Sequence, residues 1–139
     1  MITYDVKIRV WYKHTDQMGV VHHSNYICYY EEARSAFMRH IGTSYADMEA
    51  RGVVMPILHV ESDYRRSAYY DDELTVRISV SDVPKARFIA NYEVFNSKGE
   101  LLNTGSTTLG FLRKDNMRPC RAPQWFVDLL IANGLESDN

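Results

Sequence analysis

Between residues 24 and 41 the chain places Tyr26, Tyr30, Ala33, Phe37 and Ile41 at spacings of three and four. That period gathers them on one face of a helix and leaves Glu31, Glu32, Ser35 and Arg39 on the other side. An amphipathic helix of this length needs an apolar surface to lie on. The downstream sequence supplies one. Met55 to Ser67, Asp72 to Val83, Arg87 to Asn96 and Glu100 to about Arg113 read as strands. They are punctuated by Tyr69-Tyr70-Asp71, Val83-Pro84-Lys85 and the strong hairpin turn Asn96-Ser97-Lys98-Gly99. A further strand precedes the helix. From Tyr4 to Tyr12, Val6, Ile8 and Val10 alternate with Lys7 and Arg9, the pattern of a sheet with one wet face. A strand, a long helix and then strands in hairpin succession specify an α+β fold. The expected architecture is an antiparallel sheet of about five strands on one long central helix.

Local signals set the boundaries. Ser24 suits the N-cap of the long helix, where a hydroxyl can accept an N–H of the first turn, and Gly42 marks its end. A short helix is expected from Ser44 to Arg51, capped by Ser44 and stopped by Gly52. A loop follows Asp115-Asn116 through Pro119 and Pro123, then a terminal helix from Gln124 to Asn133 and a frayed tail over 134–139. No repeat or linker divides the chain, so one domain spanning 1–139 is expected, long enough to bury a core.

Composition excludes several classes. With 45% hydrophobic and 24% charged residues the chain is not low-complexity or disordered. A net charge of −2 gives no basic excess to bind nucleic acid. No apolar run approaches the ~20 residues that span a bilayer. The start Met1-Ile2-Thr3-Tyr4-Asp5-Val6-Lys7 lacks a signal-peptide layout. Cys28 and Cys120 form no CxxC pair, which suits a reducing, cytoplasmic setting, and Cys28 reads as a buried structural thiol.

The chemistry concentrates in Asp16-Gln17-Met18-Gly19-Val20-Val21-His22-His23-Ser24-Asn25-Tyr26. It sets a carboxylate, a glycine and two histidines directly ahead of the helix. A helix start offers unpaired N–H groups and the positive end of a dipole. A carboxylate there can attack an acyl group or activate water, and the N–H groups can hold the resulting oxyanion, which suggests acyl transfer to water. Asp16 can equally be a turn aspartate bonding its own backbone. Gly19 permits a tight turn or a close approach to substrate. The backbone N–H of His23, with that of Ser24, is the expected oxyanion donor; the His23 side chain is either a substrate contact or a packed imidazole. His14, Asp16, His22 and His23 are also metal-ligand types. No HExxH or Cys/His framework surrounds them, and neither a metal nor a cofactor is expected. Lys85 and Arg87 flank a turn where they can hold phosphates or simply be solvated, and Arg65 and Arg66 are weaker candidates for that task. Glu31 and Arg34, three apart, can pair along the helix.

These residues resemble the 4-hydroxybenzoyl-CoA thioesterase branch of the hotdog-fold family. The shared pattern is Asp16, Gly19, Val20, Val21, His23 and Tyr26 without a gap, preceded by Tyr12. The similarity continues through Glu31-Glu32-Ala33-Arg34, Asp63-Tyr64-Arg65-Arg66 with Asp71-Asp72, and Arg118-Pro119-Cys120-Arg121-Ala122-Pro123. Met18 stands where a small residue is common and His22 where an aromatic is common, departures that bear on substrate preference rather than reaction type. The resemblance implies a hotdog fold, hydrolysis of an acyl-CoA thioester and a homodimer or homotetramer with active sites at subunit interfaces. It further implies catalytic roles for Asp16, His23 and Tyr12, a pocket position for Tyr26, and CoA-phosphate binding by Lys85 and Arg87. Two other functions fit the same residues: a hotdog hydratase or dehydratase, and a non-catalytic CoA- or acyl-carrier-binding module.

Overall fold

The computed structural model describes residues 1–137. The chain begins with β1 (Ile2–Arg9), makes a 3-10 turn at Tyr12–His14, and enters α1 (Ser24–Ile41) and α2 (Tyr45–Ala50). Then come β2 (Val53–Val54), β3 (Ile57–Tyr64), β4 (Glu73–Val80), β5 (Arg87–Phe95), β6 (Leu101–Gly110), β7 (Leu112–Arg113) and α3 (Gln124–Ala132). Five strands form one antiparallel sheet in the order β1-β4-β5-β6-β3, and β2 pairs with β7 in a separate ribbon.

The stripe read from the sequence is the buried one. Tyr26, Tyr30, Ala33, Phe37 and Ile41 are all buried, joined by Tyr29 and Met38. They face the inward side chains of the sheet, among them Val76, Ile78, Phe88, Ala90, Tyr92 and Val94, in one continuous core. Truncating a side chain such as Phe37 would cost roughly 3–5 kcal/mol in transfer and cavity terms. Gly42 closes α1 in the left-handed conformation at φ 105°, and its N–H bonds back to the Arg39 carbonyl. Ser44 caps α2, its hydroxyl accepting the Asp47 N–H at 2.9 Å.

Several boundaries differ from the expectation. β1 ends at Arg9 because Val10 exchanges backbone bonds with Asp71 and Asp72 and the chain then tightens into the 3-10 turn, so Tyr12 is not the end of a strand. The expected strand over 55–67 is shorter, β3 alone, and a separate β2 precedes it across Met55 and Pro56, the latter without an N–H to donate. The last strand likewise changes partner after Gly110, β6 staying in the main sheet and β7 joining β2. Arg34 is buried at 4% exposure and does not pair with Glu31. Its Nη1 donates to the Tyr92 hydroxyl at 3.1 Å and to Thr107 Oγ1 at 3.3 Å, and its Nε to the Tyr45 hydroxyl at 3.3 Å. Cys28 is exposed rather than buried, because it lies on the outer side of α1. Leu135 is buried at 2% and donates its N–H to the Leu130 carbonyl, so the docked chain extends past 134; of the expected frayed tail, 138–139 lie outside the described residues.

A buried polar seam runs between α1 and the sheet. The Tyr30 hydroxyl donates to Asn103 Oδ1 and lies 2.9 Å from Ser62 Oγ. Asn103 Nδ2 in turn donates to Ser62 Oγ at 2.9 Å and to the Asp63 carbonyl at 3.0 Å. The Tyr30 ring stacks on Tyr92 at 4.2 Å. Gly105 makes this approach possible: a Cβ there would stand 2.6 Å from both Tyr30 Cζ and the Glu61 carbonyl oxygen.

Candidate active site

The loop from Asp16 to Gly19 is a tight reversal. Thr15 and Val21 bridge across it, the Asp16 N–H donates to the Val20 carbonyl at 2.9 Å, and the Gly19 N–H returns to the Asp16 carbonyl at 3.0 Å. Gly19 sits at φ +79°, where a side chain would strain the backbone. Asp16 Oδ1 accepts the Met18 N–H at 2.8 Å. The turn role of Asp16 does not take it out of the cleft. One oxygen pins the turn, and the residue still lines a cleft of about 310 Å³ with His23, Tyr26, Tyr64 and Arg65.

The helix start is wired differently from the expectation. Ser24 is the first helical residue and caps nothing with its hydroxyl; that oxygen lies 2.8 Å from His22 Nδ1. The same Nδ1 takes the Ser24 N–H at 3.3 Å, so the His22 imidazole occupies the place a capping side chain would fill. The N–H groups of His22, Asn25 and Tyr26 go to the carbonyls of His14, His22 and His23. Among the described residues this leaves the His23 N–H without an acceptor, so the backbone donor narrows to His23 alone. The His23 side chain is exposed, with its ring 4.0 Å from that of His22.

Tyr26 lines the cleft. Burial first, and the neighbouring Tyr64 second, push its hydroxyl up to about 12, so it stays protonated through the neutral range. Tyr64 is a site residue the sequence did not single out. Its hydroxyl donates to the His23 carbonyl at 3.1 Å, and its ring meets those of Tyr26 and His23 edge-on. Its only sequence signal was membership of Asp63-Tyr64-Arg65-Arg66, because a tyrosine at a strand end is ordinarily just half-buried.

Other expected residues lie apart. Tyr12, 77% exposed, leans edge-on against Tyr70 and neither lines the cleft nor bonds Asp16. Lys85 and Arg87 line a separate groove with Asp82, Val83 and Glu136. The residues sequence reasoning ranked lower, Arg65 and Arg66, are the basic pair beside Asp16, although Arg66 also pairs with Glu100 at 2.8 Å. Among the described residues no three His, Cys, Asp or Glu side chains converge as metal ligands would, and no helix is long and apolar enough to cross a membrane.

A helix start and a carboxylate loop facing one cleft, above a five-stranded sheet on a single long helix, are features of a hotdog thioester hydrolase. The model of the thioesterase-like superfamily matches residues 10–130, and the chain belongs to that family. Its relatives are of the same kind. YneP of Bacillus subtilis (strain 168), named as a candidate acyl-CoA thioesterase, is 30% identical over 88% of each chain. The acyl-CoA thioester hydrolase YbgC of Escherichia coli is 27% identical over 86% of this chain and 90% of the relative. The DHNA-CoA thioesterase of Staphylococcus aureus superposes with a TM-score of 0.87 at 37% identity, covering 95% of this chain and 89% of that one.

Proposed function

We propose that this thioester hydrolase is an acyl-CoA thioesterase in which Asp16 drives the attack and the His23 N–H holds the oxyanion. The observation that carries the reading is the opening of Asp16 and the His23 segment onto one cleft. As general base, Asp16 takes a proton from water as the water oxygen bonds to the thioester carbon. The carbonyl oxygen becomes an oxyanion held by the His23 N–H. Collapse breaks the carbon–sulfur bond, and the CoA thiolate takes the proton from Asp16. As nucleophile, Asp16 would instead expel CoA directly and leave a mixed anhydride for water to cleave. In a single turnover in oxygen-18 water, label in the carboxylate of Asp16 marks the second route with water attacking the Asp16 carboxyl carbon; trapping of an acylated Asp16 marks it when water attacks the acyl carbon and only the product acid is labelled. A donor aimed at the developing charge contributes roughly 3 kcal/mol.

The same reading extends to assembly and setting. β3 is an outer strand of the sheet with one edge unpaired, and it exposes Ile57 at 49% and Leu58 at 50%. An unpaired strand edge with exposed apolar side chains at one end is a ready place for a second copy to pair, which supports a homodimer or a homotetramer built from it. In such an assembly the groove of Lys85 and Arg87 would meet CoA phosphates at a neighbour's cleft. Single-domain behaviour over 1–139 and a cytoplasmic setting, with Cys28 and Cys120 as free thiols, complete the proposal. The test is Asp16→Asn assayed by thiol release against a panel of acyl-CoAs. Near-complete loss of turnover with retained binding is expected; unchanged turnover refutes the role of Asp16.

A further inference from the structure

His14 stands two residues ahead of Asp16 and is tied to the helix start through both its ring and its backbone. The Trp11 N–H donates to His14 Nδ1 at 3.0 Å. That nitrogen therefore carries no proton, and the Tyr29 hydroxyl, also 3.0 Å away, must be the donor of the second bond. The His14 carbonyl accepts the His22 N–H at 2.8 Å and Asn25 Nδ2 at 2.9 Å. One residue thus joins the 3-10 turn before Asp16, the peptide next to the His23 N–H, and two side chains of α1. The ring also packs edge-on against Tyr29 at 5.3 Å and stacks with Trp11 at 6.1 Å.

We propose that His14 is a positioning residue for thioester hydrolysis: the paired bonds to its Nδ1 and to its carbonyl hold the Asp16 loop and the His23 N–H in one register across the cleft. This role presupposes the assignment of Asp16 and His23 above. It requires the imidazole to stay an acceptor. The charged neighbours are Lys13 on its own turn and Glu32 on α1. Burial, then Lys13, hold the imidazole below its ordinary value, with Glu32 acting the other way. The neutral form is thus favoured in the fold. The stability it contributes is present above the free value of 6.5 and is lost as pH falls through the lower folded value. Protonation would place a hydrogen on Nδ1, which breaks the bond from the Trp11 N–H and forces the Tyr29 hydroxyl to turn from donor to acceptor.

The test compares kcat and KM for an acyl-CoA in the wild type, His14→Leu, His14→Asn and Asp16→Asn, together with the acid limb of kcat. Asparagine offers an amide oxygen near the place of Nδ1 but does not titrate. His14→Leu is expected to lose about tenfold in kcat with KM little changed, as misplacement of reacting groups does. His14→Asn is expected to recover most of that loss and to lack the wild-type decline of kcat below pH 6.5. Unchanged kcat in His14→Leu, or His14→Asn as slow as His14→Leu, overturns the proposal. If His14→Leu does not fold, His14→Asn decides alone: a wild-type acid limb in that variant overturns it. Full activity in Asp16→Asn refutes the Asp16 assignment, whereas an inactive Asp16→Asn beside a fully active His14→Leu refutes only the role of His14.

Discussion

The cleft at the start of α1 and the polar seam beneath its middle hold similar side chains in opposite states. In the seam, Tyr30, Asn103, Ser62, Arg34, Tyr92 and Thr107 answer one another, and no buried side-chain N or O among the described residues lacks a partner. At the cleft a donor is left open: the His23 N–H has no acceptor among the described residues, although the N–H groups of His22, Ser24, Asn25 and Tyr26 beside it do. A matched polar group inside a protein fixes geometry, because breaking one bond leaves a partner desolvated at a cost of about 1–3 kcal/mol. An unmatched one beside solvent is available to a substrate. The seam is where the molecule is registered, and the cleft is where the proposed oxyanion donor is left open.

Substitutions can break that division. Asp16→Asn should cost about a thousandfold in kcat, roughly 4 kcal/mol, while leaving the thermal midpoint almost unchanged. Steady-state kinetics beside a melting curve checks both halves. Gly105→Ala should do the reverse. The added methyl meets Tyr30 and the Glu61 carbonyl, so a loss of about 3 kcal/mol in unfolding free energy is expected by urea titration. Arg34→Met removes a buried cation whose partners among the described residues are the hydroxyls of Tyr45, Tyr92 and Thr107. Desolvation relief offsets part of the lost bonding, and a net loss of about 1–2 kcal/mol in stability is expected, with KM for acyl-CoA unaltered. A stabilised Arg34→Met would mean that the hydroxyls find other partners and that the seam does not depend on its charge. Tyr64→Phe probes the boundary between the two regions. It removes the bond to the His23 carbonyl, worth about 1 kcal/mol, and should slow kcat about fivefold with little change in the melting temperature. A melting shift without a rate change there would place Tyr64 with the seam.

Much of this was readable from residue order. The five apolar positions of α1 were named from their spacing and all are buried, since a side-chain period of 3.6 leaves one face for the core. The hairpin at Asn96–Gly99 carries its own signal and needs no distant contact. Asp16 is legible as a carboxylate ahead of a helix start, and Tyr26 as a pocket residue only through the resemblance; both line the cleft. Tyr12, Lys85 and Arg87 were named on resemblance, and within one chain they lie elsewhere. Arg34 looked like an exposed helix residue able to pair with Glu31. Its burial depends on Tyr92 and Thr107, some sixty and seventy residues away, which no local pattern contains.

The sequence by itself determined the α+β architecture, the buried stripe of α1 and the place of the carboxylate loop ahead of it. Those follow from periodicity and turn chemistry, which act over a few residues. The tertiary structure decided which donor stays open. Ser24 was the expected cap, but His22 caps in its place, His14 takes the His22 N–H, and Tyr64 reaches across from β3 to the His23 carbonyl. Hydrogen-bond partners are allotted among all groups brought within reach of one another, and only the folded chain brings residues 14, 22 and 64 together.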